Sequence, residues 1–218
     1  MISPSDLFAI LCAYLIGSIP TAVWIGKYFY RIDVREHGSG NAGATNAFRV
    51  LGKKAGFPVL LIDIFKGWAA VNLAWLISVR VPGSEQFFEL QMVLGVVALL
   101  GHIFPILAAF RGGKGIATLI GITAALHPQA CLVSVGVFIL VFIVTNYVSL
   151  SSIIASFAFP ISLIFIFPTG IPSFIVFALF TVAMVLLTHQ KNIERLLNKQ
   201  ETKTRILRKR SIPEPGEK

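Results

Sequence analysis

The sequence predicts an all-α fold, a polytopic transmembrane helical bundle of about seven spans, and two observations support this prediction. First, the 218 residues are 56% hydrophobic and only 13% charged, whereas a soluble domain carries roughly 25% charged residues. Second, the charged residues fall in clusters between long apolar runs, and the mean hydropathy of the chain is +0.80. This distribution is typical of membrane spans separated by polar loops.

The apolar runs place the spans in order along the chain. The first follows a leader, Met1–Asp6, without the cations of a signal peptide, so we expect a retained span. The fourth is too short to cross a full hydrocarbon core, so it is either a half-helix or one arm of a hairpin pinched at His127 and Pro128. A turn rich in proline and glycine separates the sixth from the seventh. The expected spans are Leu7–Tyr28, Gly56–Val79, Leu90–Phe110, Gly115–Leu126, Ala130–Thr145, Ile153–Phe167 and Ser173–Thr188.

Lysine and arginine are concentrated on alternate connections between the spans. The first loop carries five of them, the third carries Arg111 and Lys114, and the segment after Thr188 carries nine. Seven spans with the N-terminus outside and the C-terminus inside would place these segments on the cytoplasmic face, as the positive-inside rule requires. Five spans would also place the tail inside if the fourth and fifth segments do not fully cross. The net charge of +9 is therefore assigned to membrane orientation, and no nucleic-acid partner is expected.

Residues 1–190 are expected to form a single transmembrane catalytic domain, followed by a basic cytoplasmic tail over 191–218. The tail begins with an apolar stripe at helical spacing, Ile193, Leu196 and Leu197. We expect a partly interfacial helix near anionic lipid and then a disordered end; a frayed, solvated terminus is the alternative. Cys12 and Cys131 lie inside apolar runs, which predicts small buried side chains and neither a disulfide nor a metal site.

The first candidate binding segment is the loop Gly38–Asn46, which is followed by Arg49. Its glycines allow positive φ and a close backbone approach, so successive N–H groups can turn towards one anion. Arg49 adds a planar guanidinium group that suits phosphate. The spacing is not that of a Walker loop, and a plain polar turn is the alternative interpretation. The candidate residues of this loop are Gly38, Ser39, Gly40, Asn41, Thr45 and Asn46.

The second candidate segment is the third loop, where Gly112, Gly113, Lys114 and Gly115 precede an apolar run. Glycines at the start of a helix expose backbone N–H groups where the helix dipole favours an anion. Lys114 supplies a compact positive charge, and Thr118 lies one helical turn further on. A positive-inside anchor at the end of a span is the alternative interpretation.

Further polar residues lie within or beside the spans. Asp63 and Lys66 are three residues apart in the second span and can pair on one helix face, either for function or to fix helix packing. His102, near the end of the third span, has a packing or a functional role. The other candidates for the same cavity are Ser149 and Ser152 in the fifth loop and His189 and Asn192 after the seventh span. The alternative interpretations are caps of the following helix for the hydroxyls and an ordinary boundary residue for His189.

These segments together resemble one family, the bacterial acyl-phosphate–glycerol-3-phosphate acyltransferases of the inner membrane. The match runs in order from the first span to the tail, although Asn146 stands where relatives often carry a basic residue, and the glycine that they often carry near Lys199 is missing. The matching residues are Gly38–Asn46 with Arg49, Asp63 with Lys66 and Gly67, Gly101 and His102 with Phe104 and Pro105, Gly112–Gly115 with Ala117 and Thr118, Tyr147 with Ser149, Leu150 and Ser152, and His189 with Asn192, Ile193, Arg195 and Leu196.

The resemblance implies transfer of a fatty acyl group from acyl phosphate to the 1-hydroxyl of glycerol 3-phosphate, with lysophosphatidate and phosphate as products. It implies a site that faces the cytoplasm, in a membrane protein of the bacterial inner membrane. The sequence offers no metal or nucleotide motif, so no cofactor is expected, and it leaves the oligomeric state open. We expect Ser39, Arg49 and Lys114 to be catalytic, and the base is either a substrate phosphate or a side chain. An anion transporter and a lipid-binding scaffold without chemistry are the rival interpretations.

Overall fold

The computed structural model describes residues 3–204, and every regular element in that range is helical. The α-helices are α1 (Pro4–Gly17), α2 (Thr21–Tyr30), α3 (Ala44–Val50), α4 (Lys53–Ile77), α5 (Glu85–Ile103), α6 (Ile116–Leu126), α7 (Pro128–Thr145), α8 (Val148–Ile161), α9 (Pro172–Thr188) and α10 (Gln190–Leu197). Two 3₁₀ turns, Val34–Glu36 and Ile106–Ala108, and one π-helical turn, Ser162–Ile166, lie between them. The predicted all-α membrane bundle is therefore confirmed.

The seven predicted spans all correspond to helices, but these differ in their capacity to cross a membrane. Within residues 3–204, four helical segments are long and apolar enough on their own: α4, α5 with the turn after it, α7, and α8 with its π-helical turn. Two bent pairs, α1 with α2 and α9 with α10, raise the number to six if each pair is one span. As expected for the fourth segment, α6 is short, with only 11 residues. The seven-span topology and its orientation stay predictions.

The first predicted span, Leu7–Tyr28, is not one continuous helix. The axes of α1 and α2 differ by 43° across a short break. Pro20 explains the break, because its ring lacks a backbone donor and disfavours helical geometry at the residue before it. The break leaves the carbonyl of Ile19 available, and the ammonium group of Lys66 on α4 donates to it at 2.8 Å.

The third predicted span, Leu90–Phe110, is shifted towards the N-terminus in the structure. The helix begins at Glu85, because the hydroxyl of Ser84 accepts the N–H of Phe87 at 3.2 Å and caps the first turn. It ends at Ile103, shortly before a proline that starts the following 3₁₀ turn. The chain beyond this point is therefore free to form the third loop.

Helices α4 and α6 pack backbone to backbone through glycines. A Cβ atom on Gly67 would lie 2.1 Å from the carbonyl oxygen of Thr118, and one on Gly121 would lie 1.9 Å from that of Ile64. Neither position accepts a side chain, which is how small residues let helices approach closely in a membrane. This contact fixes α6 against α4 and so sets the position of the third loop, which runs into α6.

Helix α5 is central in the bundle and α7 is peripheral. In the apolar 18-residue stretch of each helix, 61% is buried inside the protein in α5 and only 11% in α7. Leu140 and Val144 on α7 are 65% and 81% exposed, and we expect such an apolar outer face to contact lipid. On the inside, Phe174 of α9 is buried and packs edge-on against Phe88 and Phe159.

The chain turns by 63° after α9 and continues as α10, which carries the predicted apolar stripe. Of this stripe, Ile193 and Leu196 are partly buried and Leu197 is exposed. Residues 205–218, where we predict a disordered end, lie outside the described residues. Both cysteines are free thiols; Cys131 is buried and Cys12 is partly buried.

Candidate active site

The first loop is held in shape by the side chain of Asn46. Its Oδ1 atom accepts the N–H of Ser39 at 2.9 Å, and its Nδ2 atom donates to the carbonyls of Val34 at 2.7 Å and His37 at 3.1 Å. Asn46 is buried, so this predicted binding residue secures the loop from beneath. Gly38 has a φ of 62°, and a Cβ atom there would lie 2.4 Å from Oδ1 of Asn46, so only glycine fits.

The outer surface of the first loop carries groups that a substrate can reach. Ser39, Thr45 and Arg49 are exposed, and Asn41 is partly buried. Helix α3 begins inside the predicted loop, so Thr45 and Arg49 lie one turn apart on the same helix face. Among the described residues, the N–H groups of Asn41 and Gly43 make no hydrogen bond, which leaves them available to an anion.

The third loop lies directly on the end of α5 and leads into α6. The N–H of Gly113 donates to the carbonyl of His102 at 3.2 Å, and a Cβ atom on Gly113 would lie 2.3 Å from Nε2 of the same histidine. Gly115 has a φ of 82° and is the N-cap residue of α6, a left-handed conformation that favours glycine. These two glycines set the path of the backbone that presents Lys114 between them.

The first and third loops touch each other. The N–H of Ala42 donates to the carbonyl of Gly112 at 3.4 Å, and the guanidinium group of Arg35 donates to the carbonyl of Ala108 at 2.8 Å. Arg35 also binds both carboxylate oxygens of Asp33, at 3.0 and 2.8 Å. This guanidinium holds the pKa of Asp33 well below its usual range. The structure therefore brings together the two glycine-rich segments that are predicted to share one site.

The junction between α9 and α10 closes a third side of the site. The ammonium group of Lys114 donates to Oδ1 of Asn192, and the hydroxyl of Thr188 donates to the carbonyl of Lys114 at 3.4 Å. Nδ1 of His189 lies 2.9 Å from the carbonyl of Val185 and donates to it, so Nε2 is the acceptor of the neutral ring. The predicted pair of His189 and Asn192 thus lies beside the third loop.

Glu201 is a residue of this site that the sequence interpretation missed. Its carboxylate accepts hydrogen bonds from Ser149 at 2.7 Å, from Asn192 at 2.7 Å and from Arg195 at 2.8 Å. Burial raises the pKa of Glu201, but the hydrogen bonds from Arg195, Ser149 and Asn192 outweigh burial and hold it below its ordinary value. In the sequence Glu201 is an isolated acid in a basic tail, so no motif points to it.

Three of the predicted binding hydroxyls are turned inward. Ser149 donates to Glu201, and Ser152 donates to a carbonyl of its own helix at 2.9 Å. Thr118 is completely buried, with its hydroxyl 3.1 Å from Nδ1 of His102. These hydroxyls support the site from behind, while other groups line its surface.

The last described residues return to the fifth loop. The N–H of Thr204 donates to the carbonyl of Asn146 at 2.8 Å, and the ammonium group of Lys203 lies 5.4 Å from the centre of the Tyr147 ring. Asn146 has a φ of 59°, a left-handed conformation that asparagine tolerates well. The segment that contains Glu201 is therefore held by α10 on one side and by the fifth loop on the other.

Lys114 is the central cation of the site. Burial lowers the pKa of Lys114 to about 8; the carboxylate of Glu201 opposes this shift, and the guanidinium groups of Arg195 and Arg49 add to it. Apart from the Glu201 carboxylate, the site thus combines cations with neutral amide and hydroxyl groups, which suits phosphate esters. Between residues 3 and 204, no group of three His, Cys, Asp or Glu side chains comes together in a way that could hold a metal ion.

Beneath the third loop, Asp63 and Lys66 form the ion pair that their spacing predicts. The Nζ–Oδ1 distance is 2.9 Å, and the side chains are only 1% and 4% exposed. The pair lies inside the bundle and does not line the outer surface of the site.

The chain is similar to proteins of one enzyme family over most of its length. A family model described as glycerol-3-phosphate acyltransferase matches residues 7–199. The glycerol-3-phosphate acyltransferase of Streptococcus equi subsp. equi is 44% identical over 202 residues, which cover 89% of this chain and 90% of that one. The enzyme of the same name from Enterococcus faecalis is 42% identical over 201 residues, which cover 89% of each chain.

Two solved structures have a similar fold. Both are crystal structures of PlsY (YgiH), described as an integral membrane glycerol 3-phosphate acyltransferase. The glycerol 3-phosphate form has a TM-score of 0.83 and 35% sequence identity, and the match covers 92% of this chain and 96% of the other. The lysophosphatidic acid form has a TM-score of 0.81 and 34% identity over the same shares of both chains.

Proposed function

This chain belongs to the glycerol-3-phosphate acyltransferase family, and on that premise we propose that its acyl donor is an acyl phosphate. The enzyme is an integral membrane protein that transfers a fatty acyl group to glycerol 3-phosphate, a step of phospholipid synthesis. One observation carries the choice of donor. The guanidinium groups of Arg49 and Arg195 are close enough to Lys114 to lower its pKa. Three cations thus lie near one another where three chain segments converge, against the carboxylate of Glu201, and this excess of positive charge suits two phosphate-bearing substrates.

The proposed reaction is one displacement at the acyl carbon. The 1-hydroxyl oxygen of glycerol 3-phosphate attacks this carbon, and the bond from the carbon to the donor's phosphate oxygen breaks. Phosphate leaves with the bonding electron pair, and the hydroxyl proton passes to a phosphate oxygen of a substrate. An acyl phosphate is already activated, so alignment of the two substrates can supply a large part of the rate, ~7–11 kcal/mol. The absence of a His-x-x-x-x-Asp box from the sequence agrees with such a mechanism.

The first loop binds the phosphate of the donor in this proposal. Ser39 is exposed and Asn41 is partly buried on its outer surface, and the N–H groups of Asn41 and Gly43 point to no partner among the described residues. Asn46 has its amide engaged with three groups of the loop and keeps the loop in the binding shape.

Lys114 and Arg49 lie between the two phosphates in this proposal. Both are cations of the converging loops, and Arg49 is close enough to affect the pKa of Lys114. Arg49 is exposed and can bind a phosphate with two parallel hydrogen bonds, while Lys114 acts as a partly buried point charge. As negative charge develops on the leaving phosphate, such fixed cations stabilise the transition state.

His189 and Asn192 bind glycerol 3-phosphate in this proposal. Asn192 bridges Lys114 and Glu201 by its oxygen and its nitrogen, so its orientation is fixed before substrate binds. His189 has its Nδ1 engaged with a backbone carbonyl, which leaves Nε2 to accept a hydrogen bond from a glycerol hydroxyl. Ser149 acts through its hydrogen bond to Glu201.

We assign the enzyme to the bacterial cytoplasmic membrane, with the site at the cytoplasmic face. The first loop, the third loop and the start of the tail, which carry most of the cations, lie together at one end of the bundle. At the other end Arg80, the only lysine or arginine of the second loop, binds Asp6 at 2.9 Å. This asymmetry agrees with the positive-inside rule.

The donor is tested with purified protein in detergent, supplied with acyl phosphate and glycerol 3-phosphate. We expect lysophosphatidate and inorganic phosphate in equal amounts, and phosphate release only when both substrates are present. An acyl thioester of the same chain length is the control donor and should give no product. Equal turnover with the thioester, or phosphate release without glycerol 3-phosphate, would refute the proposed donor. Anion flux in liposomes without any turnover would restore the transporter alternative.

A further inference from the structure

A buried polar group lies directly beneath the third loop and has no part in the reaction as described so far. Besides Lys66, the carboxylate of Asp63 binds the hydroxyl of Thr21 at 2.9 Å. Lys66 in turn donates to the carbonyl of Ile19 at the break before α2. This ion pair thus joins α4 to the break between α1 and α2, in the interior of a membrane protein, where charged groups are costly.

His102 lies between the ion pair and the third loop. Its Nδ1 atom lies 3.9 Å from Oδ1 of Asp63 and 3.1 Å from the hydroxyl of Thr118 on α6. Both the backbone and the ring of His102 also face the loop. The backbone carbonyl accepts the N–H of Gly113, and the ring atom Nε2 occupies the space where a Cβ atom of Gly113 would lie. A Cβ atom on Gly112 would lie 2.1 Å from the same carbonyl. The backbone next to Lys114 therefore rests on this histidine.

A small cavity of about 10 Å³ lies between the group and the loop. Its lining includes Lys66 and His102 on one side and Gly112 and Gly113 on the other. A cavity of this size accepts at most one water molecule. The loop therefore has little room to move towards the ion pair. The atoms beneath the loop fix its distance from α4 and α5.

Stability alone does not account for this arrangement. Replacing a buried ion pair by apolar side chains is often neutral or stabilising, because both charges lose their hydration. In addition, Oδ2 of Asp63 is buried without a hydrogen-bond partner among the described residues, which is unfavourable for folding. A feature that adds little to stability and lies under the central cation calls for a functional explanation.

We propose that Asp63, Lys66 and His102 are positioning residues that fix the backbone of the third loop and thereby hold the Lys114 ammonium group at the height where both substrate phosphates reach it. The inference rests on the proposed role of Lys114. Thr118 belongs to the same positioning cluster, since it orients the His102 ring through Nδ1.

The test is the variant His102→Leu, which keeps a buried side chain but removes both ring nitrogens. We expect folded enzyme whose kcat/KM falls about 10²-fold, because a small misplacement of a positioned group has an effect of this size. His102→Asn, whose amide can take the place of Nδ1 beside Thr118, should recover about tenfold of that loss. His127→Leu is the matched control: its ring caps α7 at Ala130, so the variant should lower Tm and leave kcat and KM unchanged.

The pH profile separates a positioning role from a structural one. A loosened loop exposes Lys114 to water, so the alkaline limb of kcat/KM should move up from about pH 8 towards the ordinary value of a lysine, roughly 10.4. The titratable and charged groups that face Lys114 from other elements, Glu201, Arg195, Arg49 and His189, are the same in all variants. A lower Tm with unchanged kinetics and an unchanged limb in His102→Leu would overturn the inference.

Two further results keep the inference separate from the proposed function. If His102→Leu does not fold, Thr118→Val, which removes only the hydroxyl that orients the ring, should show the same upward shift of the limb, and an unshifted limb overturns the inference. Failure of the proposed function is seen elsewhere, in wild-type enzyme that does not use acyl phosphate or in a fully active Lys114→Ala variant.

Discussion

The ammonium group of Lys114 hydrogen-bonds the side-chain oxygen of Asn192, a residue 78 positions further along the chain. This contact joins the third loop to the junction of α9 and α10, and Glu201 holds the other side of the same amide. A substrate that binds Lys114 therefore also lies next to Asn192 and Glu201, at the start of the tail. The site is a closed arrangement of three segments, and a change in any of them should be felt at the lysine.

Removing the central cation should remove turnover. We expect Lys114→Ala to lower kcat by about 10²–10³-fold, the usual loss when one fixed group that stabilises developing negative charge is deleted. Phosphate release from acyl phosphate in the presence of glycerol 3-phosphate is the measurement. Lys191→Ala, an exposed lysine on α10, is the matched control and should keep wild-type rates. A Lys114→Ala enzyme with more than a tenth of the wild-type kcat would contradict the role assigned to this residue.

The reaction should slow at alkaline pH because Lys114 loses its charge there. Burial lowers the pKa of this group to about 8, so the cation is present below that pH and is lost as the pH rises through it. We expect kcat/KM to fall above pH 8. The fall in kcat should begin at a higher pH than the fall in kcat/KM, because bound phosphates favour the charged form of the lysine. Lys114→Arg keeps its charge and should show no such limb. Uncatalysed hydrolysis of the donor is subtracted at each pH, and a profile that stays flat to pH 10 in the wild type would disprove the assignment.

His189 should affect substrate affinity before it affects turnover. With Nδ1 engaged by a carbonyl, Nε2 can make one hydrogen bond to glycerol 3-phosphate. Its loss is worth about 1 kcal/mol, so KM for glycerol 3-phosphate should rise roughly five- to tenfold in His189→Ala, with kcat nearly unchanged. His127→Asn, which retains a helix-capping side chain at the far end of α6, is the control. An unchanged KM with lost turnover would show that His189 takes part in the chemical step instead.

The sequence alone was sufficient to predict the helical bundle and the two glycine-rich loops. Apolar runs and charge clusters are local signals, and the membrane makes them unusually clear. Gly112 and Gly113 are required by a close approach to His102, and Gly115 by its left-handed backbone conformation. The sequence shows these glycines beside a lysine between two apolar runs, so the loop could be recognised without knowledge of either requirement. The positive-inside rule places the first and third loops on the same face of the membrane, and their backbone contact agrees with that placement.

The direction of individual side chains could not be predicted in the same way. Asn46, Thr118 and Ser152 have the right chemistry to bind a phosphate, but each is satisfied by an internal partner. Whether a hydroxyl faces a loop or a cavity depends on helix rotation, which is set by distant contacts such as those between α4 and α6. Glu201 was missed for a related reason, because its importance lies in partners from α8 and α10.

Glu201 should be more important than its place in the tail indicates. Glu201→Gln removes the charge that binds Arg195 and weakens the hydrogen bonds to Asn192 and Ser149. Since hydrogen bonds to charged groups contribute about 1.5–3 kcal/mol each, we expect kcat/KM to fall roughly tenfold or more and Tm to decrease. Glu194→Gln, on the exposed side of α10, is the matched control and should behave as wild type. Identical kinetics for both variants would mean that Glu201 does not orient the site.

The close approach of α4 and α6 predicts that alanine destabilises the protein at Gly121 but not at Gly136, a glycine of α7 outside that contact. In Gly121→Ala the new methyl group would lie 1.9 Å from the carbonyl oxygen of Ile64, so the helices have to separate, and overpacking of this kind costs about 1–3 kcal/mol. Gly136 on α7 has no atom within 4 Å of the same position, and alanine there should be neutral or slightly stabilising because it favours the helix. Thermal unfolding in detergent and activity after heating measure both. Because α6 begins at the third loop, Gly121→Ala should also lower kcat at temperatures where the protein is still folded. A lower Tm without this decrease in kcat would show that the packing stabilises the bundle but does not position the loop.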